Sequence, residues 1–347
     1  MILNSKNYKL LIVKRESHQS GVALSTLDLS GLNSLEWLTS LDTCSEVVDR
    51  VDMSTLSDTV VLYSDTPLVT LDTLTKVAEY MEERCVESAR LKEGYIISRN
   101  VSDCKDVSVC DEDFIRLNSS INYAKIAKII RERINLKHMQ NGVFMVDPDS
   151  VYVDESVVIG EGTIIAPNNK LSGSTVIGKN CTLESGNSLT DTVIGDGVKL
   201  TAVVSVEAQV GENTVVGPYV YLRPKANVGA NCKVGDFVEI KNSNIANGTK
   251  VPHLAYVGDA DVGSGVNVGC GVIFANYDGR KKHRTKVGDK SFIGSNTTLI
   301  APIEVGEKVF IAAGATISRS IPDGALVIAR ARETIKEGRA ENYLKKE

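Results

Sequence analysis

The sequence predicts a three-sided parallel β-coil preceded by a small α/β unit, on three observations. From Ile159 onward apolar residues recur at every sixth position, commonly followed by glycine. Glycine reaches 28 residues while aromatics make up 5% of the chain, with Trp37 the lone tryptophan, so most of the core is not built on large side chains. The pattern also changes character near residue 150, mixed before it and periodic after it.

The mixed part comes first. Residues 8 to 13 and 59 to 63 are short apolar runs that read as buried strands. Residues 70 to 84 read as a helix with Leu71, Leu74, Val77, Ala78 and Met81 on one face, Thr70 as cap and Asp72 in the first turn. A second helix is expected from a Ser120 cap to about His138, with Ile121, Ala124, Ile126, Ala127, Ile129, Ile130 and Ile134 as a broad apolar stripe, ending at Asn141-Gly142. The expected division is an α/β domain over 1–118, a linking helix over 119–142 and the coil with its tail over 150–338.

The periodic part runs Ile159, Ile165, Leu171, Ile177, Leu183, Leu189, then from Val210 through Val216, Leu222, Val228, Val234 and Ile240, and again from Val287 to Ile317. Six is the period of neither a helix nor a long strand. It fits a coil with three flat sides, one inward residue per side, and glycine at the corners. About 18 residues per coil makes about nine coils over residues 159 to 321, a stack roughly 40 Å tall at ~4.8 Å per strand. The helix near 120–138 and the tail after Ile321 are candidates for covering its ends. An ordinary β-sandwich with coincidental spacing is the alternative.

Composition bounds the function. A net charge of -5 argues against nucleic acid as the main partner. No run approaches the ~18 apolar residues of a membrane span, and no signal-like segment opens the chain. Seven scattered cysteines fit reduced thiols, so a cytoplasmic location is expected.

After Phe274 the period skips to Val287, and residues 275 to 286 form a loop carrying Arg280, Lys281, Lys282, His283, Arg284 and Lys286. Loops that break a rigid scaffold are where sites are built. His253 lies beside the inward series Val251 and Val257 but outside it, so it can face a cleft and take a proton near neutral pH. A structural histidine is the other reading. Arg223 and Lys241 are one coil of 18 apart, hence stacked on one side. Two such cations call for a phosphate between them or for a carboxylate, Glu239 or Asp236. Cys270 reads better as a small residue lining the coil than as a nucleophile, and Ser291 and Ser295 lack a triad signature. One histidine without a partner at ligand spacing gives no metal site.

Leu222-Arg223-Pro224, Phe237-Val238-Glu239-Ile240-Lys241, His253 through Ala260, Asn276-Tyr277-Asp278-Gly279 and Gly294-Ser295-Asn296-Thr297 together resemble the acetyltransferase half of the bacterial bifunctional N-acetylglucosamine-1-phosphate uridyltransferase / glucosamine-1-phosphate acetyltransferases. These are hexapeptide-repeat acyltransferases, and the resemblance covers about residues 150 to 338. It implies a left-handed parallel β-helix, a homotrimer, and acetyl transfer from acetyl-CoA to the 2-amino group of glucosamine 1-phosphate without a metal. It further implies His253 as general base. Arg223, Lys241, Tyr256 and Lys282 would bind the sugar phosphate, and Asn267, Asn276 and Tyr277 would contact or orient the substrate. Cys270, Ser295, Ala313 and Arg330 would hold the coenzyme or shape its pocket; the family more often has alanine where Cys270 stands.

The first half departs from that family. Residues 1 to 30 carry no Gly-rich nucleotide loop, Gly21 standing alone. Only Val61 to Leu68, with Asp65 at the family's metal-binding aspartate, and the helix over 120–141 resemble it. Uridyl transfer is therefore expected to be lost. Two alternatives remain: an acyltransferase for another amino sugar or nucleotide sugar, and a non-catalytic scaffold.

Overall fold

The computed structural model describes residues 2–3, 6–19, 21–340 and 343. Contacts divide the chain into two compact units, residues 1–157 with 170–174, and residues 158–169 with 175–347.

In the first unit a six-stranded sheet has the order Lys105–Asp106, Ala89–Leu91, Gly94–Ile97, Thr59–Tyr63, Lys9–Val13 and Glu46–Val48. Its fourth and fifth strands, Thr59–Tyr63 and Lys9–Val13, are parallel, and both run nearly unbroken in buried residues, as strands covered on both faces must. The helix Leu71–Glu83 has the expected Thr70 cap, whose hydroxyl accepts from the Thr73 amide, and Asp72 in its first turn. Leu74, Val77, Ala78 and Met81 pack with Val60, Leu62, Ile96 and Phe114, each such side chain gaining about 1.5–3 kcal/mol on burial. Leu71, expected on that face, is half exposed.

The helix Ser120–Gln140 starts one residue early and runs slightly long: Ser119, not Ser120, caps it, accepting from the Asn122 amide at 3.2 Å. Its buried stripe is narrower than expected, Ile126, Ile130 and Ile134 at successive i, i+4 positions, while Ile121 and Ala124 are exposed. Next to Ile134, the buried Asn135 amide donates to the Pro148 and Val151 carbonyls at 2.8 and 2.9 Å and so ties the helix to the segment that follows it.

The second unit is a β-helix with three flat faces. Among the described residues, face A holds nine parallel strands from Val158–Ile159 to Ile303–Val305, matching the nine coils expected. Face B runs from Ile164–Ile165 to Leu326–Val327, and face C, within this unit, from Ser188–Thr190 to Thr316–Ile317. Each coil sits directly on the last, Val176-Ile177 on Val158-Ile159 and Leu222-Ile240-Val257 in one column. The six-residue series Val210, Val216, Leu222, Val228, Val234 and Ile240 is buried throughout, so the interior is a set of ladders.

The edge between faces B and C turns through a residue with left-handed backbone in coil after coil: Tyr219, Phe237, Leu254, Gly271, Asn296 and Gly314. Gly235 lies just before this turn because an added Cβ would collide with the Pro252 carbonyl of the next coil. Two strands of consecutive coils can therefore close on each other where Asp236 and His253 follow.

Candidate active site

The candidate residues gather on two edges of the β-helix. On the edge between faces B and C, His253 ends the strand Lys250–His253, and Asp236 ends the strand below it, in direct register. The His253 Nδ1 lies 2.6 Å from Asp236 Oδ1, the imidazole remaining more than half exposed. That hydrogen bond holds the Asp236 carboxyl below the usual carboxylate range.

The coils beyond His253 bring Cys270, Ser295, Ala313 and Arg330 into one column on the same edge. Leu254 O accepts from Gly271 N, Cys270 O from Asn296 N, and Ser295 O from Gly314 N, at 2.7–2.8 Å. The Arg330 guanidinium reaches the Ala313 carbonyl at 3.4 Å. From His253 to Arg330 the column climbs four coils, about 19 Å at ~4.8 Å per coil. Cys270 corrects an expectation: it is exposed at the corner and does not line the coil. Its Gly269-Cys270-Gly271 setting places it in the turn, between the inward Val268 and Phe274.

The edge between faces C and A carries the cations. Lys241 pairs with Gly258 in register, and the Lys282 ammonium stands beside it. That like charge, then burial, pushes the Lys241 ammonium below its ordinary value, and Asp259 pulls the other way. Neither lysine has a carboxylate within 4 Å among the described residues. Arg223 behaves differently: its guanidinium donates to Glu239 Oε1 at 2.8 Å and is held above its ordinary value by that contact. Of the two carboxylates considered as alternatives to a phosphate between Arg223 and Lys241, Glu239 pairs with Arg223, whereas Asp236 is engaged by His253 one edge away.

Behind the lysines, Tyr256 and Asn276 join a polar network through Asp259 and Asn242, two residues that sequence reasoning missed. Asp259, 8% exposed, accepts from Asn242 Nδ2 and from Asn276 Nδ2, both at 2.5 Å, and Asn276 Nδ2 lies 3.4 Å from the Tyr256 hydroxyl. The partners are 17 residues apart in each carboxylate pair, so the coil spacing was the signal that could have found them.

The loop leaving Asn276 is a closed structure. Asp278 accepts from the Arg280 and Lys281 amides at 2.8 Å and meets His283 Nε2 at 2.6 Å, which lowers its pKa to about 2. Tyr277 bridges antiparallel to Lys282, and its hydroxyl donates to Gly279 O. Arg284 pins the far end, with both Asp261 oxygens and the Asn242 and Ala260 carbonyls as acceptors. This buttress was also missed, since one arginine within a basic run does not announce its partner.

Face C joins the two edges, with Tyr221, Glu239 and Tyr256 side by side across it. Four residues lie between His253 and Gly258, the first of them, Leu254, at the left-handed turn. Asn267 stands apart, on face B between Lys250 and Phe292. A groove of about 850 Å³ on face A, lined by Asn244, Asp261, Lys286 and Glu304 among others, contains none of the expected site residues. In the first unit, Asp65 is buried under Arg116 Nε at 2.9 Å and Arg15 at 3.6 Å, and burial raises its pKa despite them. Among the described residues no group of three metal-ligating side chains occurs, and no helix is long and apolar enough to cross a membrane.

Residues 207–242 and 284–319 match the family described as bacterial transferase hexapeptide (six repeats). The chain is 48% identical over 232 residues to the bifunctional protein GlmU of Clostridium acetobutylicum, covering 67% of this chain and 51% of that one. It is 49% identical over 236 residues to GlmU of Enterococcus faecalis, covering 67% and 52%. This is a hexapeptide-repeat protein related to GlmU. Its fold is accordingly the left-handed parallel β-helix expected of that family. The GlmU of Clostridioides difficile matches equally, at 49% over 236 residues, 68% of this chain and 51% of that one. The chain thus spans about half the length of the curated GlmU relatives it matches.

Proposed function

We propose that this GlmU relative transfers the acetyl group of acetyl-CoA to the 2-amino group of glucosamine 1-phosphate, giving N-acetylglucosamine 1-phosphate and free CoA. The observation that carries the reading is the division of labour between two edges of one face. A solvent-facing imidazole heads a column of small corner residues at one side, and two lysines without carboxylate partners stand at the other. A purely structural β-helix requires neither.

The phosphate is a guest for Lys241 and Lys282, with Arg223 and the Tyr256 hydroxyl alongside. An anion between the two ammonium groups removes the repulsion that lowers the Lys241 pKa, so its binding is coupled to that strain. Asp259 and Asn276 hold the floor of this pocket, and the closed loop from Asn276 to Arg284 brings Tyr277 and Lys282 to it. Asn267 contacts substrate from face B of a neighbouring copy in a homotrimer. Fixing the sugar at the phosphate places its amine over face C, which is an entropic contribution to rate.

The thioester lies along the column of Cys270, Ser295, Ala313 and Arg330, its reacting end at His253. The amine nitrogen attacks the thioester carbon, its proton passes to His253, and the carbon–sulfur bond breaks to release the CoA thiolate, which regains a proton. No metal is required. Uridyl transfer is absent from this chain: Asp65, the one carboxylate resembling the family's metal ligand, is neutralised by two arginines.

Free CoA release from acetyl-CoA, with and without glucosamine 1-phosphate, tests the reading. Acceptor-dependent release is expected; release stimulated only by a nucleotide sugar, or none, overturns it. Robust UTP-dependent turnover with Mg²⁺ would refute the second statement.

A further inference from the structure

We propose that Asp236 is the positioning residue of the reaction, fixing the His253 ring so that Nδ1 carries its proton and Nε2 faces the acceptor amine. The inference rests on the acetyl-transfer reading above, and deepens it.

The backbone sets the geometry of the pair. Asp236 and His253 are direct cross-coil partners, and the Leu254 amide donates to the Asp236 carbonyl at 2.8 Å just past the pair. Gly235 lets the coils close at this point. The two side chains therefore leave the same edge one above the other, and the 2.6 Å Nδ1–Oδ1 contact follows from register. An ionised carboxylate can only accept, so the nitrogen facing it must be the donor. In the neutral ring that leaves Nε2 as the lone-pair nitrogen. Without Asp236 both tautomers would be populated and the exposed ring could turn about its Cβ.

The carboxylate has a second effect. When the ring takes the amine proton it becomes a cation, and the adjacent negative charge stabilises it. Asp236 is held ionised by the same hydrogen bond, so it can serve this way without itself receiving the proton. Asp236 touches neither substrate; it acts through His253.

The test is Asp236→Asn in the full chain, which keeps size and polarity at a partly exposed site. With glucosamine 1-phosphate as acceptor, kcat is expected to fall about 100-fold or more, as for other oriented histidines, with KM for both substrates within about threefold. Nitrogen-15 NMR of histidine-labelled protein, with the His253 signals assigned by their loss in His253→Gln, reads the tautomer directly. The parent should show protonated Nδ1, and Asp236→Asn a mixture. Unchanged kcat in an active enzyme overturns the proposal, as does a parent ring protonated on Nε2 or a tautomer indifferent to the substitution. If the parent transfers no acetyl group, the functional reading fails, and the NMR comparison still decides whether Asp236 sets the ring.

Discussion

The two units of this chain solve the burial problem in opposite ways. The first concentrates its core: Phe114, Leu10, Ile12, Leu62 and Leu74, drawn from strands, a helix and a loop turn, belong to one buried cluster. The second distributes it, one or two mostly aliphatic side chains per strand, repeated coil after coil. In the first unit a position is defined by many neighbours from distant parts of the chain. In the second it is defined by the residue one coil above and one below. Side chains at the corners of a repeating coil are therefore free of folding duties, and the candidate chemistry sits there.

Four measurements put this contrast to the test. The largest effect is expected at a corner: His253→Ala should lower acetyl transfer by about 10²–10⁴-fold, the range of a lost general base, with circular dichroism and melting temperature unchanged. A large stability loss would mean the corner does serve folding. Next, Phe114→Ala should destabilise the first unit by about 3–5 kcal/mol in urea unfolding, while Val234→Ala, with fewer atoms to lose in a ladder, should cost less. Equal costs would erase the distinction between concentrated and distributed cores. Third, Lys241→Met should raise KM for the sugar phosphate by about 10–100-fold with a smaller change in kcat, the signature of lost ground-state binding.

The smallest effect concerns the loop. Asp278 titrates at about 2 in the folded chain, below the ~3.9 of an unperturbed aspartate, so its contribution is complete above about pH 4. It is lost as pH falls from about 4 to 2. Hydrogen exchange at the Arg280 and Lys281 amides should accelerate over that range before the ladders open. Exchange that does not change until global unfolding would show the loop to be held by something other than Asp278.

Much of the β-helix was legible because a ladder writes itself into the sequence at fixed intervals, as from Val210 to Ile240. The strands at 9–13 and 59–63 and the Thr70 cap were legible from local chemistry alone. What escaped had two causes. Helix Ser120–Gln140 carries more isoleucines than it buries, so Ile121 read as core although its neighbours leave it in solvent. Ser119 and Ser120 are chemically equivalent caps, and only backbone geometry chooses between them. In the site, His253, Lys241 and the loop stood out by type, but Asp259 did not, and Asp236 was read as a partner for the cations rather than for His253. Their partners lie 17 residues away, and a coil shortened by one residue shifts register enough to hide them from an 18-residue count. Cys270 misled because a thiol flanked by glycines suits an interior and a turn alike.

The left-handed edge turn has an implication for substitution. At Gly271, Asn296 and Gly314 the chain uses residues that tolerate this backbone, yet at Tyr219, Phe237 and Leu254 it keeps bulky side chains at roughly 1–2 kcal/mol each. Tyr219 and Phe237 stack at 5.5 Å, and all three project into solvent as a rib beside the Asp236–His253 pair. Glycine at any of the three should make the protein harder to melt, so a library screened for thermal resistance alone would be drawn to this rib and erode it.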